Sequence, residues 1–217
     1  MAKSFLVIGL GRFGLATAMA LVEAGQEVMV VDSDEELVDS VQNIFMHAVC
    51  CDVTDERAIK ALGVSEFTAV VIAIGTDLRS SILSTLLCLE NGAKYVAAKA
   101  LDENHVKLLE KIGAHKVIQP EKMAGEKIAK TLVSSRLIDV LEFAHNQSVS
   151  EMKVPSAWVD KTIGDINVRH KYKVSIIAVR RGGVVNSYLD ATFLFEKDDV
   201  LFFIGANADL NRVARLP

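Results

Sequence analysis

Near the start of the chain, Gly9-Leu10-Gly11-Arg12-Phe13-Gly14 has the G-x-G-x-x-G spacing of a phosphate-binding turn. Its glycines allow a tight turn, a close approach of phosphate to backbone, and close packing of a following helix on the preceding strand. The helix start supplies unpaired N–H groups and about half a positive charge, so a diphosphate is its natural guest. Asp32 follows 18 residues beyond Gly14 at the end of a second apolar run. An acid there can accept both hydroxyls of a ribose and repels a 2′-phosphate, which disfavours NADP.

Three further positions extend this constellation. Asp52 and Val53 close a third apolar run, where a carboxylate or backbone group can meet the amine of an adenine; alternatively Asp52 or Thr54 caps the helix at Glu56. Gly75 ends a fourth run and lets the backbone pass close to a ribose, with Thr76 or Asp77 capping the next helix. Arg12 is a cation inside the glycine turn, which either reads a terminal phosphate or a neighbouring subunit or is simply solvated.

Hydride transfer would need more than binding: a general acid or base and a cation to orient substrate. His145, His170, Lys161, Lys171 and Lys173 have no acid partner at triad or metal spacing, and His47, His105 and His115 are as plain. No catalytic set assembles, so nucleotide binding used as a signal is favoured over an NAD-dependent oxidoreductase. A soluble NAD(H) redox sensor is the third reading.

The elements that must position these groups alternate. Apolar runs at Ser4–Gly9, Glu27–Asp32, Met46–Cys51, Ala69–Ile74, Tyr95–Lys99 and Lys116–Gln119 predict strands covered on both faces. Helical periodicity predicts helices over Leu15–Ala24, Glu35–Gln42, Glu56–Leu62, Leu78–Glu90 and Glu103–Ile112, with Gly25, Gly63, Gly92 and Gly113 as C-terminal caps. The fold class is α/β, a Rossmann-like doubly wound parallel sheet followed by a small α+β domain. Glu121–Phe143 reads as one long connecting or dimerising helix. Beyond it come a strand at Val149–Val154, a short helix at Thr162–Val168, a hairpin of Val174–Arg180 and Val184–Tyr188 about Gly182-Gly183, a strand at Val200–Ile204 and a last helix from near Asn207. Domains are therefore expected at 1–140 and 141–217.

Composition bounds the answer. A chain of 217 residues with 51% hydrophobic and 24% charged residues builds a full core and excludes disorder as its main state. Its charge of −4 divides into −5 over residues 1–140 and +1 over 141–217, and no basic face suggests nucleic acid. Mean hydropathy is +0.30, and no charge-free run is long enough to span a bilayer, so the surplus apolar surface belongs in buried strands or subunit contacts. The start shows no secretory signal. Cys50, Cys51 and Cys88 read as buried small hydrophobes in a reducing cytosol.

Four runs in order, Gly9-Leu10-Gly11-Arg12-Phe13-Gly14, Leu109-Glu110-Lys111-Ile112-Gly113-Ala114, Gln119-Pro120-Glu121-Lys122-Met123-Ala124-Gly125 and Ile166-Asn167-Val168-Arg169-His170-Lys171-Tyr172, together resemble the cytosolic gating subunits of Trk/Ktr potassium-uptake systems. The resemblance covers essentially the whole chain, an N-terminal regulator-of-potassium-conductance (RCK) domain and its C-terminal companion. It implies a homodimer assembling into an octameric ring, docked from the cytoplasm on a membrane potassium-translocating subunit, and ATP, ADP or NAD(H) in the cleft. Gly9, Leu10, Gly11, Arg12, Phe13, Gly14, Asp32, Asp34, Asp52, Val53, Gly75 and Lys99 are the residues it implies for the nucleotide, with Arg12 and Lys99 at the terminal phosphate. Asp34 and Lys173 stand where members of the family vary. Glu121 matches an acidic position that takes part in divalent-cation binding. Ile163, Ile166, Arg169 and Ile176 match the wall of a cyclic di-AMP site; read from the residues alone, the three isoleucines serve equally as domain core.

Overall fold

The structure, a computed structural model, describes residues 2–75, 77–133, 137–144 and 146–217. The chain divides into two compact units, Met1–Glu121 and Lys122–Pro217. In the first, strands β1 (Ser4–Ile8), β2 (Glu27–Asp32), β3 (His47–Cys50), β4 (Ala69–Ile72), β5 (Val96–Lys99) and β6 (Lys116–Ile118) alternate with helices α1 (Arg12–Glu23), α2 (Glu35–Val41), α3 (Glu56–Leu62), α4 (Leu78–Glu90) and α5 (Glu103–Lys111). The six-stranded sheet has the order β3-β2-β1-β4-β5-β6, and its pairs are parallel. This is the doubly wound α/β architecture expected from the sequence. Chain order reverses between β1 and β4, and at such a point the loops part and leave a crevice at the carboxyl ends of the strands.

Residue alternation on β1 shows how both faces are covered. Leu6 and Ile8 join one core with Ile59, Ile72 and Leu109, while Val7 joins the other with Val30, Ala18 and Phe45. Both sets are fully or almost fully buried, hence the uninterrupted apolar strands. Helices α2, α3, α4 and α5 are capped by the side chains of Asp34, Asp55, Asp77 and Asp102. Asp55 thus takes the cap at Glu56, in place of the expected Asp52 or Thr54. Thr76, the other expected cap for α4, lies outside the described residues. Gly25, Gly63, Gly92 and Gly113 all have positive φ, as caps require.

Helix α6 spans Pro120–Val133, and strand β7 occupies Leu137–Ala144. The single helix expected over Glu121–Phe143 is therefore corrected. The apolar residues of this stretch suit either period, and what decides is a partner later in the chain: β7 pairs antiparallel with β8 (Gln147–Lys153), Leu141 opposite Val149. Since β7 runs through residue 140, the second unit takes up residues on both sides of the expected boundary.

The second unit continues with α7 (Ile163–Ile166), α8 (Val168–Tyr172), β9 (Ser175–Arg181), β10 (Val184–Asn186), β11 (Val200–Ala206) and α9 (Asn207–Ala214), its sheet ordered β10-β9-β11-β8-β7. The short helix expected at Thr162–Val168 is two, parted by Asn167 in the left-handed region at φ 52°. Thr162 and Asp165 form a reciprocal capping box at the start of α7. At the β9–β10 hairpin Gly182 and Gly183 have φ of 57° and 84°, positive at both central positions as a type I′ turn requires. β10 ends at Asn186, short of the expected Tyr188, because Asn186 Oδ1 turns back to accept the Tyr188 N–H at 2.9 Å. Its core gathers Trp158, Phe195 and Phe203, with ring centroids 6.3 and 6.1 Å from the tryptophan.

Phe195 is wholly buried there. Phe195→Ala is expected to cost about 3–5 kcal/mol, read as a lowered denaturation midpoint followed by Trp158 emission; a change under about 1 kcal/mol would show that this ring does not hold the core together.

Candidate functional site

The crevice at the β1–β4 reversal is a cavity of about 590 Å³. Of the residues expected to hold a nucleotide, all but Leu10 and Gly14 line it, and Glu121 lines it too. Leu10 and Gly14 are buried beneath the turn.

Each glycine of the turn has a separate reason. Gly9 sits at φ 99°, and Gly14 lies so near that a Cβ on it would be 1.8 Å from Gly9 O. These two are demanded by the protein itself. Gly11 is different: its φ of −61° suits any residue, and a Cβ there would meet nothing within 4 Å. Neither backbone nor packing explains a glycine at this place, while a diphosphate seated against the N-terminus of α1 does. The residues present therefore fit a nucleotide.

At one end of the cavity Asp32 holds the turn and the α2 entrance together. Its Oδ2 accepts the Leu10 N–H at 2.6 Å and its Oδ1 the Asp34 N–H at 3.0 Å. Asp34 in turn caps α2 through the Glu36 and Leu37 N–H groups. Asp52 accepts from both the N–H and hydroxyl of Thr54, at 2.9 and 2.7 Å, and these bonds hold its carboxyl below the usual range. Val53 is buried and presents an apolar lining beside it. The expectation that all three cysteines are buried holds for Cys88 alone; Cys51 is half-buried and Cys50 exposed.

The other end carries opposite charge. Lys99, only 12% exposed, donates from Nζ to Glu121 Oε1 at 2.7 Å. Gly75 makes room for it, since a Cβ there would stand 3.0 Å from that ammonium. Lys99 chiefly, then the helix-start backbone and more distantly Arg12, hold the Glu121 carboxyl below its ordinary range. Among the described residues no three His, Cys, Asp or Glu side chains converge as a metal-binding group.

The turn between β5 and α5 supplies Leu101, a wall residue that sequence reasoning missed along with Ser33, Leu37, Thr54, Ile74 and Ser80. Leu101 is held by His105, whose Nδ1 accepts its N–H at 3.2 Å while Asp102 Oδ1 accepts the His105 N–H at 2.8 Å. Burial pushes the His105 pKa down against the pull of Asp102, which keeps the ring neutral and Nδ1 an acceptor.

Residues 5–120 match the TrkA-N domain family and residues 149–217 the TrkA-C domain family. The chain belongs to the Trk/Ktr family of potassium-uptake proteins. It is 40% identical to "Ktr system potassium uptake protein C" of Bacillus subtilis (strain 168) over 98% of this chain and 96% of that one. It is 35% identical to "Ktr system potassium uptake protein A" of the same organism, over 97% and 95%. Among solved structures, the GsuK RCK domain aligns with all of this chain and 48% of its own at a TM-score of 0.70 and 17% identity, and the GsuK channel bound to NAD with all of this chain and 39% of its own at 0.70 and 16%. These two share the fold.

The TrkA-C unit of this Trk/Ktr chain has a pocket of its own, of about 330 Å³. Ile163, Arg169 and Ile176 line it with His170, Leu189 and Asp190, whereas Ile166 is buried in the core. Arg169 brings a cationic group, and His170 an imidazole, to a partly apolar surface.

Two outcomes are expected. Gly11→Ala should shift stability by no more than about 1 kcal/mol yet abolish nucleotide binding by calorimetry, while Gly14→Ala should fail to fold stably; retained affinity in the first would mean the space above Gly11 stays empty. Because the Glu121 carboxyl is depressed, its pair with Lys99 is made above the ordinary glutamate range and lost as pH falls through the lowered value. Lys99→Met should raise the Glu121 titration toward the ordinary glutamate range, followed by the NMR shift of its carboxyl carbon; an unmoved titration would show that Lys99 is not what depresses it.

Proposed function

We propose that this chain is the cytosolic nucleotide-binding regulatory subunit of a bacterial Trk/Ktr potassium-uptake system, a gating protein with no enzymatic turnover. The observation that carries this reading is the polarity of the cleft: carboxylates Asp32 and Asp34 at one end, Lys99 and Arg12 at the other, and Gly11 open between them. Adenosine diphosphate or triphosphate, or NAD(H), has the complementary order of adenosine hydroxyls and phosphate. Asp32 takes the ribose hydroxyls, Asp52 and Val53 the adenine edge, and the N–H groups at the start of α1 the diphosphate. Arg12 and Lys99 meet the terminal phosphate. The acid and the cation that sit paired in the cleft, Glu121 and Lys99, satisfy each other at 2.7 Å, and we read the cleft as serving signalling rather than an NAD-dependent oxidoreductase or redox sensor.

Lys99 gives the switch a physical form. It holds Glu121, the second residue of α6, and a terminal phosphate competes with that carboxylate for the ammonium. A Glu121 so released has charge to offer a divalent cation, whose other ligands come from the phosphate or a second copy. The gating unit is a homodimer built into an octameric ring, docked on the inner face of the membrane through its potassium-translocating partner. Moving such an assembly from 1:99 to 99:1 takes about 5.5 kcal/mol of differential binding, roughly 0.7 kcal/mol per site over eight sites. One charge-assisted contact supplies that. The TrkA-C pocket accepts cyclic di-AMP, with Arg169 against phosphate and Ile163 and Ile176 against adenine.

Calorimetric titration of ATP, ADP, NAD and NADH, with oligomeric mass followed in the same samples, tests the proposal. Adenine-nucleotide binding without turnover to a ring-sized assembly is the expected result, and Arg12→Ala should keep ADP affinity but lose the discrimination between ATP and ADP. A simple dimer that binds NAD(H) alone would instead make it a redox sensor, and hydride transfer an oxidoreductase.

A further inference from the structure

One wall of the TrkA-C pocket has no helix or strand of its own: Leu189, Asp190 and Ala191 lie on the segment between β10 and β11. That segment is laced to the stretch entering α7 by main-chain bonds. Gly164 N donates to Ala191 O at 2.8 Å, Ile163 N to Phe193 O at 3.0 Å, and Phe195 N to Lys161 O at 3.0 Å. Gly164 permits the lacing, because a Cβ on it would stand 3.0 Å from Ala191 O. The Ile163 edge and the Ala191 edge of the pocket are therefore one body.

What ties that body to β9, the strand bearing Ile176 on the pocket's lining, is Arg181 at the end of the same strand. Its Nε and Nη2 grip the two carboxylate oxygens of Asp199 at 2.7 Å each, and Nη2 also donates to Leu194 O at 2.9 Å. Nη1 pairs with Glu196 at 2.5 Å, and the guanidinium lies 5.3 Å over the Phe193 ring. Asp199 is 1% exposed, and its Oδ2 accepts the Glu196 N–H at 2.8 Å as well. A planar fork held in this many directions fixes its partners rigidly. Arg181 itself does not line the pocket.

We propose that Arg181 is a positioning residue for the TrkA-C pocket, setting the Leu189–Ala191 wall against Ile176 so that the pocket admits a phosphate-linked dinucleotide. This rests on the reading of that pocket as a cyclic di-AMP site. A site whose supporting contacts are loosened loses fit without losing its fold.

The test is calorimetric titration of cyclic di-AMP into the full chain and into R181K and R181M, with Trp158 emission, unfolding temperature and ADP affinity measured on the same samples. Trp158 is 3% exposed and reports the core of this unit, while ADP reports the other unit. Both variants are expected to bind cyclic di-AMP about tenfold or more weakly, with Trp158 emission and ADP affinity unmoved. A merely structural role would move emission and unfolding temperature and leave the affinity of the folded protein as it was. Should R181M expose Trp158, R181K decides, since it keeps a cation at Asp199 but loses the fork. An R181K that binds as tightly as the unaltered chain overturns the positioning role alone; no binding to the unaltered chain overturns the ligand reading and this role with it.

Discussion

Backbone meets backbone at one place in the first unit with almost no room to spare. The hydrogen of Gly14 faces Gly9 O where a methyl would lie 1.8 Å from it, and Gly9 itself is pressed against Ala73 at the end of β4. From that contact the cleft follows. It brings the N-terminus of α1 directly over the carboxyl end of β1, so the helix's unsatisfied N–H groups face the crevice left by the reversal of strand order. Asp32, one strand away, fastens the same turn through the Leu10 N–H. The Gly11 space, the Asp32 carboxylate and the Lys99 ammonium keep their places only while this approach holds.

The first unit was legible because its signals are local and agree with one another. Apolar runs, helical periods and glycine caps all called for the same parallel sheet, and covered faces make such strands unmistakable. Where the reading failed, the deciding contact was distant. Strand β7 exists by pairing with β8, and nothing within Leu137–Ala144 separates strand from helix. The same holds for the cleft. Residues named by their place in the glycine turn or at strand ends line it, because strand ends converge by topology. Ser80 and Leu101 went unseen because they enter from the first turn of a helix and from a loop. His105 looked plain for a related reason. Its part is to accept the Leu101 N–H, and in sequence a buried acceptor has no signature distinct from an exposed imidazole.

Electrostatics sorts the cleft more sharply than shape does. Asp32, Asp34 and Asp52 gather at one end, and each spends part of its carboxylate on a nearby N–H, so they sit together without the cost of three bare charges. That arrangement favours hydroxyls and repels any further phosphate. Lys99 and Arg12 make the other end anion-seeking, but Glu121 already answers Lys99. The resting pair joins a mostly shielded ammonium to an exposed carboxylate, and an ion pair with so solvated a member is worth little, on the order of 1 kcal/mol. A strongly charged phosphate therefore need only outbid one solvated carboxylate.

Glu121 belongs both to the cleft and to α6, and α6 runs on as the chain enters the second unit. Each unit thus carries a pocket walled by its own residues, with this helix as the covalent thread between them. If ligands in both bias one equilibrium, linkage fixes the sign and size in both directions: whatever factor a nucleotide imposes on the second ligand's affinity, that ligand imposes on the nucleotide's. The interactions at stake suit such coupling. At the cleft the adjustable contact is a single ion pair worth little by itself, whereas at the second pocket the Arg181 fork holds a wall in several directions at once. On the proposed function, a soft contact at one site and a stiff frame at the other would let the nucleotide change which partner a side chain chooses. The second ligand, by contrast, would select among positions of a whole wall. A regulator built this way would read two kinds of molecule through different physics while answering with one conformational change.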